Sequence, residues 1–576
     1  MKMKNPVTKF LASMLCLALA FNVVAQDVEQ VAKSDPWVSA GAITMSNIFT
    51  WPKDSLKNEL PYSYYLSGNL NTTFFGVVSV PVSFSYTNNQ YASTYAYPFN
   101  RFSIAPSYKW IKTYMGFSSM SFSPYTMSGR EFMGGGLELT PPDFPLSFSA
   151  YYGRYNKAVA FDSISMKPIY RRMGGGFKIG YRADKFNVSI NAVKSVDIES
   201  SLSLEKSDSN YIAPKGNIAA GVSAEVHPFD NTTISGQYSV SIVDNDCSSD
   251  STGNSSILSE DDETYHYSAY KMSISQSIGF GSLGVSYERV SPNYTSFSSY
   301  YNTDDFWNLT ADFSAHIGSM ANVGGNVGFQ RDNLENNDVN TNSQAIYSCN
   351  LQLTPVERLS LSGSVSNVQS YVYIKDIIEE VSETNQYQNL DTLSYTELNF
   401  SANGTASYVF GNQEALPQTV TGGYSFQKAS HEQKNCERFT DSKLHNINAS
   451  YQITHVASKT TLGLTGNFNR TITSSLVTDV MTYCVSLNNS FVKNLQAVIS
   501  LNYNTVSGEK DYEIINARAA LTYSFFQNHN VSLNFSMLDN KSMNTGKQYQ
   551  LNATYTYNFN CGIRRVDDKY KWKSDF

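Results

Sequence analysis

Residues 549–560 read YQLNATYTYNFN, and this stretch decides the fold. Its odd-numbered positions are Tyr, Leu, Ala, Tyr, Tyr and Phe, whereas its even-numbered positions are Gln, Asn, Thr, Thr, Asn and Asn. Successive side chains of an extended strand point to opposite faces, so the segment presents one apolar face and one uncharged polar face. The alternation therefore predicts a β-strand that separates two different surroundings.

The same alternation recurs along the chain, for example in residues 218–226, 398–410 and 495–503. The predicted strands are about 10 to 15 residues long, whereas strands of soluble proteins usually have about 5 to 6 residues. A tilted strand that crosses a hydrocarbon core needs about 9 to 11 residues. Strand length therefore indicates strands that span a membrane.

The links between the predicted strands alternate between tight turns and long polar loops. Residues 76–77 and 493–494 are typical tight turns, and residues 244–266 and 374–395 are typical loops. Roughly twelve turns and thirteen loops give about 26 strands, an even number that places both ends of the chain on the side of the short turns. We therefore expect an all-β fold: one antiparallel up-and-down transmembrane β-barrel over residues 37–560, with short periplasmic turns and long extracellular loops.

The first residues predict export. Lys2 and Lys4 precede an apolar run over residues 10–21, and Val23-Val24-Ala25 offers a cleavage site of small residues, so residues 1–25 are predicted to be a signal peptide. Residues 26–36 are then a short periplasmic segment, and residues 561–576 a polar periplasmic tail. We expect no N-terminal plug domain in so short a segment, which argues against a TonB-dependent transporter and against an insertase.

The composition of the 576 residues excludes several classes of protein. Charged residues make up 16%, against a norm of about 25% for soluble proteins, and the chain has 40 Tyr and 33 Phe. After the signal no apolar run approaches about 18 residues, so a helical membrane protein is excluded. The net charge of -7 is spread along the chain, which predicts no nucleic-acid partner.

With this pattern the chain resembles the plug-less outer-membrane barrels of Bacteroidota, over essentially all of residues 37–560. The strand that ends at Phe559 is similar to the C-terminal signal that the barrel-assembly machinery reads in such proteins. The resemblance implies outer-membrane lipid and that machinery as partners, in a Gram-negative cell. Because a polar tail follows, Phe559 and Phe576 are both candidates for the assembly signal.

The same alternation of odd-numbered and even-numbered positions, here called the parity, predicts which residues line the interior of the barrel. Lipid cannot satisfy free backbone groups, so the sheet must close, with apolar faces outward and polar faces inward. The parity places these charged residues in the lumen: Glu138, Arg172, Lys178, Arg182, Glu225, Lys271, Glu288, Asp312 and Arg518. Both signs occur, so we expect mutually neutralising networks rather than the single-sign ring of an ion-selective pore.

A weak repeat supports the hairpin pattern. Residues 133–139 (MGGGLEL) and 173–179 (MGGGFKI) lie one hairpin period apart and place glycines in mid-strand. Such glycines commonly mark a kink or a close backbone approach. The repeat makes Glu138 and Lys178 a candidate pair.

A search for catalytic and metal-binding chemistry finds no site. The G-x-G-x-x-G match at residues 279–284 precedes a strand instead of the helix that dinucleotide binding needs, so it predicts a turn. His431-Glu432 lacks the second zinc-binding histidine, and the acidic residues 260–263 are either a calcium site or a solvated loop face. We predict no enzyme activity, no metal and no cofactor.

Two functions remain open. A barrel of this strand number encloses a lumen wider than that of porins, so inward-folded loops or a separate protein should fill it. The first hypothesis is a pore or transport-associated channel for polar solutes, based on an uncharged Asn/Ser/Thr-rich lumen. The alternative is a scaffold or accessory subunit of an outer-membrane complex, with a lipoprotein or secreted partner in the lumen.

Overall fold

The computed structural model describes residues 34–51, 61–88, 100–160, 168–202, 211–247, 264–299, 303–335, 343–367, 370–372, 396–431, 439–473, 476–490, 492–509, 511–526, 528–541, 547–566 and 569–574. The predicted signal peptide, Phe576 and the acidic residues 260–263 lie outside these ranges.

The described chain consists almost entirely of strands. The first half contains β1 Trp37–Trp51, β2 Tyr62–Phe74, β3 Val78–Thr87, β4 Arg101–Ile104, β5 Ser107–Tyr108, β6 Ile111–Ser123, β7 Met127–Leu139, β8 Leu146–Asn156, β9 Arg171–Arg182, β10 Phe186–Ile198, β11 Gly216–Phe229, β12 Thr232–Asp244, β13 Thr264–Ile278, β14 Gly281–Val290 and β15 Phe306–Ile317. The second half contains β16 Ala321–Asp332, β17 Ser343–Val356, β18 Leu359–Ser366, β19 Ser370–Val372, β20 Thr396–Asn412, β21 Leu416–His431, β22 Phe439–His455, β23 Thr460–Ile472, β24 Val477–Asn489, β25 Leu495–Ser507, β26 Tyr512–Phe525, β27 His529–Asn540, β28 Lys547–Val566 and β29 Lys569–Ser574. One 3-10 turn, Glu199–Ser201, follows β10. No helix among the described residues is long and apolar enough to cross a membrane.

These strands form one closed antiparallel barrel. Each strand pairs with its neighbours in chain order, and β1 closes the barrel against β28, with Trp37 opposite Ile563 and Trp51 opposite Tyr549. The segments β4 and β5 share one position in the wall, as do β18 and β19, and β29 pairs only with the end of β28. The wall therefore has 26 strands, which confirms the predicted fold class.

The alternation of side chains gives the barrel two unlike faces. Large apolar side chains are exposed on the outer face, as shown by Tyr152 at 66%, Ile499 at 60% and Tyr555 at 39%. The residues between them point inward and are mostly Ser, Thr, Asn and Gly. Phe559 lies on the outer face, opposite Gly41 across the closing seam.

The two ends of the barrel also differ. Twelve short links, such as the one over residues 456–459, lie at one end, here named the turn end. The longer links lie at the other end, the loop end, together with the short links over residues 124–126, 473–476 and 508–511. Residues 561–563 still pair with β1 in the wall, and residues 561–566 also pair with β29, so this part of the predicted tail forms a small hairpin at the turn end.

Candidate functional site

The link between β6 and β7 folds into the barrel. The pairing of these two strands shifts register between Ser119 and Ser123. Gly129 has a φ of +64°, a left-handed conformation that glycine adopts without steric cost. Residues 119–130, here named the inner hairpin, thereby leave the plane of the wall and turn toward the lumen.

Hydrogen bonds attach the inner hairpin to inward side chains of distant strands. Thr126 Oγ1 donates to Asn191 Oδ1 of β10 at 2.6 Å. The Lys178 Nζ of β9 donates to the backbone carbonyl of Phe122 at 3.0 Å. Because these partners lie on the wall beyond β8, the hairpin lies across the inner face of the barrel.

The link after β14 forms a second inward layer, residues 291–299. Tyr294 Oη donates to the carbonyl of Tyr125 at 2.9 Å, and Ser296 Oγ donates to the carbonyl of Thr126 at 2.5 Å. On the wall side, Asn217 Oδ1 of β11 accepts from the backbone N–H of Phe297 at 3.0 Å. The segment is therefore bonded to the hairpin tip on one side and to the wall on the other.

Apolar packing stabilises both inward layers. One buried cluster joins the inner hairpin to strands β7–β11, and its members are Met120, Phe122, Met127, Phe132, Tyr151, Tyr155, Val193 and Ala219. A second joins the hairpin tip to segment 291–299 and to β13–β15, with the members Tyr125, Ala269, Val290, Tyr294 and Phe306. Met127 is 0% exposed and Tyr294 is 1% exposed, so this side of the lumen is a dry core rather than a channel.

Burial also determines the protonation of the two tyrosines of the inward layers. Loss of hydration raises the pKa of Tyr125 well above its ordinary value, and the neighbouring carboxylate of Glu288 raises it further. Burial likewise raises the pKa of Tyr294 above its ordinary value. Both phenols are therefore neutral hydrogen-bond donors at neutral pH.

Some of the nine charged residues predicted from the parity bind the inward layers. Arg172 forms two hydrogen bonds of 2.8 Å with Asp197, and its guanidinium lies 4.0 Å from the ring centre of Phe297. Glu288 accepts from Tyr125 at 2.7 Å and from Lys271 at 3.2 Å. These groups form mixed-sign contacts that hold residues 119–130 and 291–299 in place.

The other predicted charges lie apart from one another. Glu138 accepts from Tyr114 at 2.9 Å, so Glu138 and Lys178 each bond to another group and form no ion pair. Glu225 lies 2.9 Å from His227, and Arg518 lies 3.5 Å from Asn534. The remaining two are Asp312, which lies next to Gly284, and Arg182, which lies opposite Asn187 at the turn end.

The opposite side of the lumen, formed by β16–β28 and β1–β3, has a different lining. Its inward side chains bond mainly to the next strand, as in Thr44–Thr556 at 3.0 Å, Ser46–Thr554 at 2.9 Å and Thr482–Asn504 at 2.7 Å. Strands β15–β20 also enclose a groove of about 400 Å3 on the inner wall. Its inward side chains are uncharged amides, hydroxyls and one imidazole: Ser314, His316, Asn322, Asn350, Gln352, Ser362, Ser364, Asn403 and Thr405.

The inner hairpin was not predicted from the sequence, although a signal for it exists. The inward positions of β6 are Lys112, Tyr114, Gly116 and Ser118, and they are followed by the fully apolar Met120 and Phe122. Apolar residues on the inward parity of a barrel strand need a partner inside the lumen. The change of lining within one strand therefore marks the point where the chain leaves the wall.

Comparisons with known proteins extend only to the fold. No protein-family profile and no curated protein matches the sequence. The solved structure of the P pilus usher (PapC) translocation pore is similar at 10% identity and a TM-score of 0.38, covering 92% of this chain and 100% of that one. The siderophore receptor PirA from Pseudomonas aeruginosa is similar at 10% identity and a TM-score of 0.39, covering 91% and 81%. For OccAB4 from Acinetobacter baumannii the values are 11% identity, a TM-score of 0.31, and coverage of 92% and 100%. The protein is thus a large closed β-barrel that resembles outer-membrane pores and receptors.

Proposed function

We propose that this protein spans the outer membrane as a pore for small uncharged polar solutes, with its path along the inner face of β16–β28 and β1–β3. One observation carries the proposal: the inner hairpin and segment 291–299 fill the lumen beside β7–β15, while amides and hydroxyls line the opposite wall, where Arg518 is the one member of the nine predicted lumen charges. The barrel therefore has one sealed side and one polar side.

The outer face supports the membrane location. Tyr549 and Phe559 lie ten residues apart on the outer face of β28. At about 3.3 Å per residue and a tilt of about 40°, this spacing corresponds to a height of about 25 Å, the height of the apolar band of outer-membrane barrels. Aromatic rings cluster at both levels: Trp51 stacks on Tyr549 at 6.0 Å, and Tyr557 stacks on Phe559 at 5.7 Å.

The chemistry of the polar wall indicates the class of solute. Hydroxyls and amides exchange hydrogen bonds with water and with hydroxylated or amide-bearing solutes, and they add no fixed charge. A pore with such a lining lacks the charged rings that select ions by sign. We therefore expect weak ion selectivity and free passage of neutral polar molecules.

Conductance across a planar lipid bilayer tests the pore. The reversal potential in a salt gradient should lie near zero for the unchanged protein and move toward anion selectivity in Asn403→Lys, which adds a positive charge to the polar wall. Asn403→Gln is the matched control, because it keeps the wall neutral. A barrel that inserts but never conducts, or a reversal potential that Asn403→Lys leaves unchanged, contradicts the proposed path.

The scaffold hypothesis rests on the same polar side, since a second polypeptide could occupy the groove in β15–β20. Mass measurement after gentle detergent extraction distinguishes the two functions. A lone barrel that conducts supports the pore. A silent barrel that carries a second polypeptide supports the scaffold.

A further inference from the structure

The middle glycine of each repeated motif lies on the outer face of the barrel, where the proposed pore does not use it. Gly135 of β7 and Gly175 of β9 both point outward, and they flank Tyr152 of β8 in register. A β-carbon added at Gly175 would lie 2.9 Å from the Tyr152 ring, so this ring lies flat against β9. Gly175 is therefore explained by packing within the wall.

Gly135 has no such explanation. A β-carbon added there would meet no atom closer than the Tyr114 carbonyl oxygen at 3.6 Å, which is ordinary contact, so the wall has room for a side chain. The outward neighbours on either side are large and exposed, with Met115 at 54% and Tyr152 at 66%. The missing side chain leaves a depression with a backbone floor and apolar walls, about as wide as one acyl chain.

Three basic residues lie on the β8–β10 side of this depression, two of them toward the loop end and Lys194 in register with Gly135. Arg154, Arg171 and Lys194 lie on the adjacent strands β8, β9 and β10, all at outward positions. From the register, Arg154 lies opposite Met173, two residues from Arg171, and Lys194 lies opposite Gly175. With strands about 4.8 Å apart and about 3.3 Å per residue, their Cα atoms lie within about 8 to 14 Å of one another, so their long side chains reach a common point.

The height of Arg154 matches a membrane interface. Arg154 lies eight residues beyond Leu146, which is at the turn end of the same strand. This spacing corresponds to about 20 Å of height, near the upper edge of an apolar band of about 25 Å. Cations that face lipid at that level extend toward the headgroups and need negative charge there. Arg154 already lies along the wall of the depression, since its Nη2 is 3.0 Å from the Met133 sulfur.

We propose that this surface binds one anionic lipid of the leaflet at the loop end. Its headgroup phosphate is held by Arg154, Arg171 and Lys194, and one acyl chain lies over Gly135 between Met115 and Tyr152. Guanidinium groups bind phosphate oxygens through paired hydrogen bonds, and the lysine adds a point charge. The inference rests on the membrane location proposed above, and it is independent of whether the lumen conducts.

Native mass spectrometry of the full barrel in detergent tests this site, with phosphatidylglycerol and phosphatidylcholine of identical acyl chains as probes. We expect one phosphatidylglycerol retained per barrel in preference to phosphatidylcholine. Replacing Arg154, Arg171 and Lys194 together by Gln should weaken retention roughly a hundredfold, since each basic residue near an anionic headgroup contributes on the order of fivefold. The matched control replaces Arg289 and Lys541, two outward basic residues elsewhere on the wall, and should leave retention unchanged.

Gly135→Leu tests the acyl groove separately from the charges. The wall accommodates this side chain, so the variant should fold, fill the depression and lose the retained lipid with all three basic residues present. Equal retention of both lipids, or full retention by the triple variant, would overturn the phosphate site. Full retention by Gly135→Leu would overturn the groove, and none of these outcomes depends on conductance.

Discussion

The phenol of Tyr125 donates a 2.7 Å hydrogen bond to the carboxylate of Glu288. This bond joins the tip of the inner hairpin to β14, although six strands of the wall separate β14 from β7, the strand that follows the hairpin tip. Glu288 also accepts from Lys271 at 3.2 Å, so the carboxylate has two donors. A hairpin held in this way across the lumen acts as a fixed filler.

Tyr125→Phe should loosen the hairpin tip without unfolding the barrel. The substitution removes a hydrogen bond to a charged acceptor, which is worth about 1.5 to 3 kcal/mol, while Glu288 keeps Lys271 as a partner. Hydrogen exchange should accelerate in residues 119–130. Tyr451→Phe removes a phenol hydrogen bond to Gln418 on the outer wall and is the matched control. Unchanged exchange in residues 119–130 would show that apolar packing alone holds the tip.

Attachment of the inner hairpin should weaken at alkaline pH. The pKa values of Tyr125 and Tyr294 are raised in the folded state, so both phenols resist ionisation there, whereas released phenols ionise near pH 10. The stabilisation is therefore fully present below about pH 10 and is lost as the pH rises above it. The protection of residues 119–130 from exchange, taken relative to the intrinsic exchange rate at each pH, should fall as the pH rises above about 10, and replacing both tyrosines by Phe should abolish this fall.

A disulfide between Ser195→Cys and Ser298→Cys should form and leave conductance unchanged. The two hydroxyl oxygens are 2.9 Å apart, and they join β10 to segment 291–299. If this segment is a fixed filler, locking it removes no motion that the pore needs. Ser46→Cys with Thr554→Cys, whose oxygens are also 2.9 Å apart, gives a control cross-link within the wall. The native cysteines are replaced in both proteins, and a conductance that changes only on oxidation of the first pair would identify the segment as a gate.

The wall of the barrel was predictable because its signal is local. The alternation in residues 549–560 depends only on which medium each face meets, and the structure places this stretch in β28, which closes against β1 from Trp37 onward. The turns were equally visible, since residues such as Asn494, with a φ of 64°, sit in short links that hairpins require.

The sequence predicted that inward-folded loops or a separate protein fill the lumen, but not which segments do so, because that depends on contacts between distant parts of the chain. Residues 124–126 form a short link and contain nothing typical of a long loop. Thr126 and Asn191 are 65 positions apart, and Tyr125 and Glu288 are 163 positions apart. Parity shows that Glu288 points inward, but it does not show which element from elsewhere in the chain Glu288 meets.

Among the charged residues of the interior, Arg172 should be the one whose replacement destabilises the barrel most. Its guanidinium forms two hydrogen bonds with Asp197, whose side chain is only 7% exposed, and Asp197 also accepts from the backbone N–H of Lys215 at 3.2 Å. Arg172→Ala leaves a nearly buried carboxylate without its cation and removes the group that packs on Phe297. We therefore expect the free energy of unfolding to fall by about 2 to 4 kcal/mol.

The stability of the barrel should depend on which cationic side chain occupies position 172 as much as on the charge of that side chain. Arg172→Lys should recover only part of the loss, since an ammonium group provides neither the paired hydrogen bonds nor the flat contact with Phe297. Replacing both partners, Arg172→Met with Asp197→Asn, should be less destabilising than Arg172→Ala, because no unpaired charge remains. Urea unfolding of the purified barrel in detergent gives the order of the three variants. If the double variant proved the least stable, the pair would contribute through its attraction itself, and the explanation from an unpaired carboxylate would be wrong.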